Sequence, residues 1–293
     1  MTDHYAVIGN PIAHSQSPRI HALFARALGE DIEYGTILGR PGHFADDVDA
    51  FRQAGGRGLN VTVPFKLDAF AYATTRTERA TLAGAVNMLK FDGERVVGDN
   101  TDGAGLVRDI RQSGVRIEGK RVLLMGAGGA ARGVLLPLLG ERPATLAIAN
   151  RTEQKAHGLA VQFGPLAGAA QLSGAGYEAV SGQAFDLVIN ATSASLADQV
   201  PPVPPGVFAS GSLAYDMVYG DRARIFLAYA LAHGAAQTAD GLGMLVEQAA
   251  ESFFLWRGVH PDTAPVRALL RGGGAQDAAP QTRDNGASVA RPR

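Results

Sequence analysis

A short apolar run, Arg121-Val-Leu-Leu-Met125, leads straight into Gly126-Ala-Gly-Gly-Ala-Ala131, and a helix-like segment, Arg132 to Leu139, follows at once. Strand, tight turn and helix in that order match the dinucleotide pattern G-x-G-x-x-G/A. Gly126 permits the tight turn, and Gly128 lets a pyrophosphate approach the backbone with no Cβ in the way. Ala131 keeps the third position small, so helix and strand can pack closely. Free N–H groups and the positive end of the helix dipole then face the phosphates, which makes Gly126, Ala127, Gly128, Gly129 and Ala130 the candidate cofactor contacts. Glycine-rich turns are common between strands and helices, so the turn alone says little. Its downstream context says more. A second apolar strand, Thr145-Leu-Ala-Ile-Ala149, runs into Asn150-Arg151-Thr152, with Lys155 one helical turn on. An acidic residue about 20 residues past the glycines would hold the ribose 2′-hydroxyl of NAD. Arg151 stands in that region instead. A carboxylate there would repel a 2′-phosphate, whereas a guanidinium binds it through two parallel hydrogen bonds. The pattern predicts NADP in preference to NAD. The plainer possibility is an ordinary surface arginine after a strand.

The rest of the chain must carry and face this turn. Its 293 residues suffice for two domains with sizeable cores, and 46% of them are hydrophobic. With 27 basic and 28 acidic side chains the net charge is −1, which points to neither nucleic acid nor an anionic membrane as partner. The absence of cysteine excludes disulfides, thiolate catalysis and cysteine-based zinc sites, and no other metal site suggests itself. No signal-peptide pattern opens the sequence, and no apolar run nears the length of a membrane span. The expectation is a soluble, cytoplasmic protein acting on a small molecule.

Taken in order, Tyr5 to Ile8 predicts a first strand, followed by the loop Asn10-Pro-Ile-Ala-His-Ser-Gln-Ser17. Ser17-Pro18 suits a helix start, with Ser17 as N-cap. Ile20, Leu23, Phe24, Ala27 and Leu28 then form a one-sided apolar stripe. Ile32 to Leu38 and Gly58 to Val63 predict strands. A helix is expected over His43 to Ala54, stopped by Gly55-Gly56, and another after Pro64-Phe65-Lys66. Asp92-Gly93 joins a hairpin of Ala85 to Phe91 and Arg95 to Val97. A helix over Ala104 to Gln112 carries the domain boundary near Asp102. Strands over Phe185 to Ile189 and Leu213 to Val218 follow, with a proline-rich loop Val200 to Pro205 between them. Helices are expected over Arg222 to Ala232 and Met244 to Trp256, the last returning to the first domain. Alternating strands and helices predict an α/β protein with mostly parallel sheets. Residues 1–102 and about 241–270 would form one domain, and residues 103–240 a doubly wound dinucleotide-binding domain. Arg271 to Arg293, rich in Gly, Ala, Pro and Gln, reads as a disordered tail.

From Tyr5 to about Leu270 the chain resembles the shikimate dehydrogenases. The resemblance rests on Gly9-Asn-Pro-Ile-Ala-His-Ser-Gln-Ser-Pro18, Asn60-Val-Thr-Val-Pro-Phe-Lys66, Gly84-Ala-Val-Asn87, Gly98-Asp-Asn-Thr-Asp-Gly103, Gly126-Ala-Gly-Gly-Ala130, Asn150-Arg-Thr152 and Asp240-Gly-Leu-Gly-Met244. It implies NADPH-dependent reduction of 3-dehydroshikimate to shikimate, in aromatic amino-acid biosynthesis. It also implies an N-terminal substrate domain, a Rossmann-like NADP domain and a site in the cleft between them. Lys66 and Asp102 would be the catalytic pair. Ser15 and Ser17 offer two hydroxyls to a carboxylate, while Thr62, Asn87, Tyr219 and Gln248 would surround the ring. The resemblance places Asn150, Arg151, Thr152 and Lys155 at the adenosine phosphate, and Thr192, Met217 and Gly241 near the nicotinamide. It gives no catalytic role to His14 and is compatible with a monomer or a homodimer. Three departures stand out. Lys155 replaces a second arginine, Ala194-Ser195 occur where relatives often have a nearby glycine, and the tail has no counterpart. Two other readings share much of this pattern: a quinate/shikimate dehydrogenase of broader use, and a non-catalytic NADP-binding sensor, which would lack the Lys66/Asp102 pair.

Overall fold

The computed structural model describes residues 2–272. The chain runs β1 (Asp3–Gly9), α1 (Ser17–Leu28), β2 (Ile32–Leu38), α2 (Phe44–Gln53), β3 (Gly56–Val61), α3 (Lys66–Tyr72), β4 (Thr75–Arg76), α4 (Glu78–Ala83), β5 (Met88–Asp92), β6 (Arg95–Asp99) and α5 (Asp102–Gln112). A second run follows: β7 (Arg121–Met125), α6 (Gly129–Gly140), β8 (Thr145–Ala149), α7 (Glu153–Phe163), β9 (Gln171–Ala175), β10 (Phe185–Asn190), β11 (Phe208–Asp216), α8 (Arg224–Ala232) and β12 (Gln237–Asp240). The long α9 (Leu242–Arg257) and α10 (Ala264–Arg271) close the described chain.

The second sheet is wholly parallel, in the order β12-β11-β10-β7-β8-β9. Counted from β7, this is the 3-2-1-4-5-6 order of a doubly wound dinucleotide fold read from the other edge. Its central strands are apolar throughout because both faces are covered. Val122, Leu123, Leu124, Leu187, Val188 and Ile189 are all fully buried. Chain direction switches between β7 and β10, so the loops after them diverge and leave a crevice at their carboxyl ends.

The first sheet, ordered β2-β1-β3-β5-β6-β4, is mixed. The β1–β2, β1–β3 and β4–β6 pairs are parallel, but the hairpin β5–β6 runs antiparallel and joins β3 antiparallel. The sheets are mostly parallel, as expected, and the antiparallel pairings are confined to the hairpin, which supplies two strands without crossover helices. Ile20 and Phe24 of α1 meet Val246, Ala250 and Phe253 of α9 in one core, so α9 does return to the first sheet. It also grips α5. A Cβ added to Gly105 would lie 2.8 Å from the Gln248 backbone nitrogen, and one on Gly243 would lie 1.9 Å from a carboxylate oxygen of Asp109. Only glycine permits these approaches, and they bring α9 close against α5.

Other expectations shift at their edges. Gln16, not Ser17, is the N-cap of α1, and neither side chain caps it. Ser17 is the first helical residue, and its N–H donates to Ser15 Oγ at 3.3 Å. Ala54 rather than Gly55 caps α2, and Gly56 already belongs to β3. The hairpin strand begins at Met88, because Ala85 to Asn87 form the connection from α4. Arg271 is the last residue of α10, so it is helical and not tail. The rest of the expected tail, residues 273–293, lies outside the described residues. Among the described residues no helix is long and apolar enough to cross a membrane.

His21 is fully buried in α1, stacked on Tyr34 with ring centroids 4.1 Å apart. Neither ring nitrogen has a well-formed hydrogen bond among the described residues. Burial pulls its pKa from the ordinary 6.5 down to about 3, with the Asn60 side chain pulling weakly the other way. Below pH 6.5 the unfolded chain takes up a proton that the folded chain refuses until about pH 3. This contribution to stability is therefore complete above pH 6.5 and falls by up to about 1.4 kcal/mol per pH unit on acidification. Denaturant melts at pH 7 and pH 5 should show the parent losing about 2 kcal/mol through this group, and His21→Leu should abolish that part of the slope.

Candidate active site

Between the two sheets lies a cleft of about 960 Å³. The ends of β1, β3, β7, β8, β10 and β11 open into it, together with the first turns of α1, α3, α5 and α9. Lys66 begins α3 directly after the Thr62 to Phe65 turn, and Asp102 begins α5 with Thr101 as N-cap. Their side chains meet: Lys66 Nζ donates to Asp102 Oδ2 at 2.5 Å. The lysine side chain is 31% exposed and the aspartate 12%, so the pair faces the cleft from a partly dry wall. The first turn of α5 favours the carboxylate there.

Asp102 is held from behind. Asn87 Nδ2 donates to Asp102 Oδ1 at 2.8 Å and to Thr101 Oγ1 at 3.0 Å, while Asn87 Oδ1 accepts from the Thr101 N–H at 2.8 Å. Gln248 Oε1 completes the group, 3.3 Å from Thr101 Oγ1. Behind this layer Asn60 Nδ2 donates to Ser252 Oγ at 2.9 Å, and Asn60 Oδ1 accepts from Tyr34 at 2.7 Å. Buried amides and hydroxyls satisfied in this way fix each other's orientation. Asn60, Thr101 and Ser252 were missed in the sequence. The available signal was a lone amide inside the apolar strand Leu59-Asn60-Val61, buried to 5% exposure and needing partners.

The opposite wall is the glycine turn. Gly126 has φ 109°, and a Cβ there would come within 3.1 Å of the Ala191 carbonyl. At Gly128 and Gly129 an added Cβ would meet nothing within 4 Å. Both are exposed at the start of α6, so the backbone is open to an approaching phosphate. Ala131 is fully buried against the sheet, as its position in the pattern requires. Asn150, Arg151, Thr152 and Lys155 line the same cleft beyond the glycines. Among the described residues neither Arg151 nor Lys155 makes an ion pair, which leaves two cations for an anionic ligand.

Ser15, Ser17, Thr62, Thr192, Met217, Tyr219, Gly241 and Gln248 also line the cleft, with Ala127 and Ala130 beside the glycines. All the residues named from the sequence are thus brought to one cavity. His14 lines it too, exposed at the rim. A Cβ on Gly241 would lie 2.3 Å from the Met217 carbonyl, so glycine lets the β11 and β12 loops touch. The loop after Asn190 needs no glycine. Ser195 Oγ donates to the buried Asp216 Oδ2 at 2.6 Å, and Asn190 Nδ2 donates to the same oxygen at 3.0 Å. The left-handed residue there is Asp198, at φ 52°.

A glycine turn on a doubly wound sheet, unpaired cations at the second strand and a lysine–carboxylate pair across the cleft define an NADP-type oxidoreductase. The description "Shikimate dehydrogenase substrate binding domain" fits residues 7–89, "Shikimate / quinate 5-dehydrogenase" residues 108–197, and "Shikimate 5'-dehydrogenase C-terminal domain" residues 241–271. The shikimate dehydrogenase (NADP(+)) of Nitrosospira multiformis is 59% identical over 272 residues, covering 92% of this chain and 98% of that protein. An Ael1 enzyme from Pseudomonas putida superposes with a TM-score of 0.85 at 49% identity, over 92% of this chain and 98% of its own. A shikimate 5-dehydrogenase from Thermus thermophilus, solved in complex with NADP(H) and shikimate, gives a TM-score of 0.81 at 31% identity, over 92% and 99%. The chain belongs to the NADP-dependent shikimate dehydrogenase family.

Proposed function

We propose that this protein catalyses the reversible NADPH-dependent reduction of 3-dehydroshikimate to shikimate. The observation that carries this reading is the Lys66–Asp102 pair at 2.5 Å, facing the glycine turn across one cleft. Residues 2–102 with 241–270 then form the substrate domain, and residues 103–240 the coenzyme domain. The open backbone at Gly128 and Gly129, with Arg151 and Lys155 unpaired beyond it, fits a dinucleotide bearing a 2′-phosphate. The bound coenzyme supplies the hydride. Lys66 holds a proton at Nζ beside the ketone oxygen, steadies the charge that develops there, and delivers the proton. Asp102 orients the ammonium and accepts a hydrogen bond from the ring. Ser15 and Ser17 bind the carboxylate, and Thr62, Asn87, Tyr219 and Gln248 fix the ring. Thr192, Met217 and Gly241 shape the nicotinamide end. The retained Lys66–Asp102 pair argues against a non-catalytic sensor, and Arg151 against a quinate enzyme using NAD.

Reduction of NADP by shikimate, repeated with NAD and with quinate, tests the whole reading. Shikimate with NADP should be the best pair by a wide margin. Comparable rates with quinate or NAD would replace this assignment by the broader dehydrogenase. Arg151→Ala should raise KM for NADP by about two orders of magnitude or more, since bonds to a charged group are worth about 1.5–3 kcal/mol each. KM for NAD should barely move, and an equal loss with both coenzymes contradicts the role. Ser15→Ala and Ser17→Ala should each weaken shikimate binding by about 1–2 kcal/mol with NADP binding intact. Ser17→Ala should not cost capping energy, because Ser17 does not cap α1.

A further inference from the structure

One cleft residue takes no part in this chemistry. Tyr177 follows β9 by two residues and opens a short helical turn, Tyr177–Val180. Its ring packs with Val180, Phe185 and Val188 in the core on one face of the second sheet, and its exposed fraction is only 9%. Yet the residue also lines the cleft. The exit of β9 is tied to the exit of β8 by the Asn150 N–H, which donates to the Ala175 carbonyl at 3.1 Å. That bond brings Tyr177 beside the loop carrying Arg151 and Thr152, and the Arg151 guanidinium acts electrostatically on the phenol.

Four other tyrosines spend their hydroxyls inside the protein, and the buried Tyr5 has the Arg257 guanidinium at its own. Tyr34 donates to Asn60 at 2.7 Å, Tyr72 to Asp49 at 2.5 Å, Tyr215 to Asp109 at 2.7 Å and Tyr229 to the Val203 carbonyl at 3.3 Å. Tyr177 makes no hydrogen bond within the described residues, and its hydroxyl oxygen is not a buried orphan but opens to the cleft that the residue lines. A tyrosine with a buried ring ordinarily finds a partner for its hydroxyl. Burial pushes this phenol up to about 12, so it stays a neutral donor at physiological pH. A neutral donor that opens to the same cleft as the unpaired Arg151 and Lys155 can turn to a ligand there, and the acceptor that suits all three is an anion.

We propose that Tyr177 is a specificity-determining residue whose hydroxyl donates to the 2′-phosphate of the adenosine ribose, beside Arg151. This rests on the NADP reading above and deepens it. The phosphate is then gripped from two strand exits, Arg151 after β8 and Tyr177 after β9. Competitive inhibition by 2′,5′-ADP and by 5′-AMP, against NADP with shikimate saturating, separates the phosphate from the rest of the nucleotide. In Tyr177→Phe the inhibition constant for 2′,5′-ADP should rise roughly 10-fold, the size of one lost bond to a charged group. That for 5′-AMP should stay within about 2-fold, and kcat should be unchanged. Unchanged inhibition by 2′,5′-ADP, or an equal loss with both nucleotides, overturns the proposal. In the second case the ring serves the adenine or the local fold. The parent must itself favour 2′,5′-ADP over 5′-AMP, and Arg151→Ala must erase that preference. A parent without the preference refutes the NADP reading itself, a failure distinct from that of Tyr177.

Discussion

Lys66→Ala should lower kcat at least about 10³-fold while shikimate and NADP bind within a few-fold of the parent. General acid catalysis alone contributes about 10²–10⁴, and losing a cation beside a developing alkoxide adds to it. The structure says why the loss should fall on kcat. The ammonium is held at one point by Asp102 Oδ2 at 2.5 Å, so its position needs no reorganisation during the reaction. The remaining ring contacts assigned to Asn87 and Gln248 are fixed by bonds that do not involve Lys66. Removing the lysine also leaves Asp102 supported by Asn87 at 2.8 Å and by the start of α5, so the fold should survive. A loss in kcat with binding preserved marks an interaction made chiefly in the transition state.

Two companions sharpen the test. Lys66→Arg keeps the charge, but a guanidinium is too weak an acid and too broad to sit at the same oxygen, so it should rescue little. Asp102→Asn should harm substrate binding more than Lys66→Ala does, because its carboxylate orients Lys66 and, in the function proposed above, also accepts a hydrogen bond from the ring. A strong rise in KM for shikimate with kcat nearly unchanged in Lys66→Ala would make Lys66 a binding residue. The acid would then be sought at His14 or Tyr219, which share the cleft.

What the sequence revealed and what it hid divide along physical lines. The glycine turn was legible because its constraints are local. Gly126 needs a left-handed φ, Gly128 an open approach and Ala131 a small side chain, all within six positions. The stretch from α7 to β9 gave no expectation at all. β9, Gln171-Leu-Ser-Gly-Ala175, is an edge strand of small and polar residues with little β-propensity. Its one firm requirement is Gly174, where an added Cβ would lie 2.1 Å from the Ala156 carbonyl on α7. That is a tertiary contact, invisible to periodicity. Tyr177 was lost with it. The support behind Asp102 was hidden for the same reason, since Asn60 meets Ser252 across 192 residues of chain. Lys66 and Asp102 are 36 positions apart, and no spacing rule joins them. Only the family resemblance paired them before the geometry did.

Arg267→Ala should destabilise the fold by about 3–5 kcal/mol, the usual consequence of stranding a buried charge. Asp109, on α5, is 1% exposed at its side chain, and Arg267, on α10, is 16% exposed. One guanidinium nitrogen lies 2.8 Å from Asp109 Oδ1, out of line for a hydrogen bond, so the attraction is chiefly Coulombic. Tyr215, on β11, donates to Oδ2 at 2.7 Å. Gly243 of α9 closes over the carboxylate with no room for a methyl group or water on that side. The node therefore joins α5, α9, α10 and the coenzyme-side sheet. Alanine removes the only cation paired with Asp109 among the described residues, and Tyr215 alone cannot neutralise the charge. The pair Arg111–Glu141 supplies the contrast. Its contacts at 2.8 Å are just as short, but the arginine is 60% exposed, and Arg111→Ala should cost no more than about 1 kcal/mol. The double variant Arg267→Ala with Asp109→Asn decides the cause. An amide at position 109 still accepts from Tyr215 and carries no charge, so the double variant should be more stable than Arg267→Ala alone. Denaturant melts of the three chains give the result. If the double variant is the less stable, the loss lies in packing of the Arg267 stem or in Glu247, the second buried carboxylate 3.8 Å from Arg267, and not in a stranded Asp109.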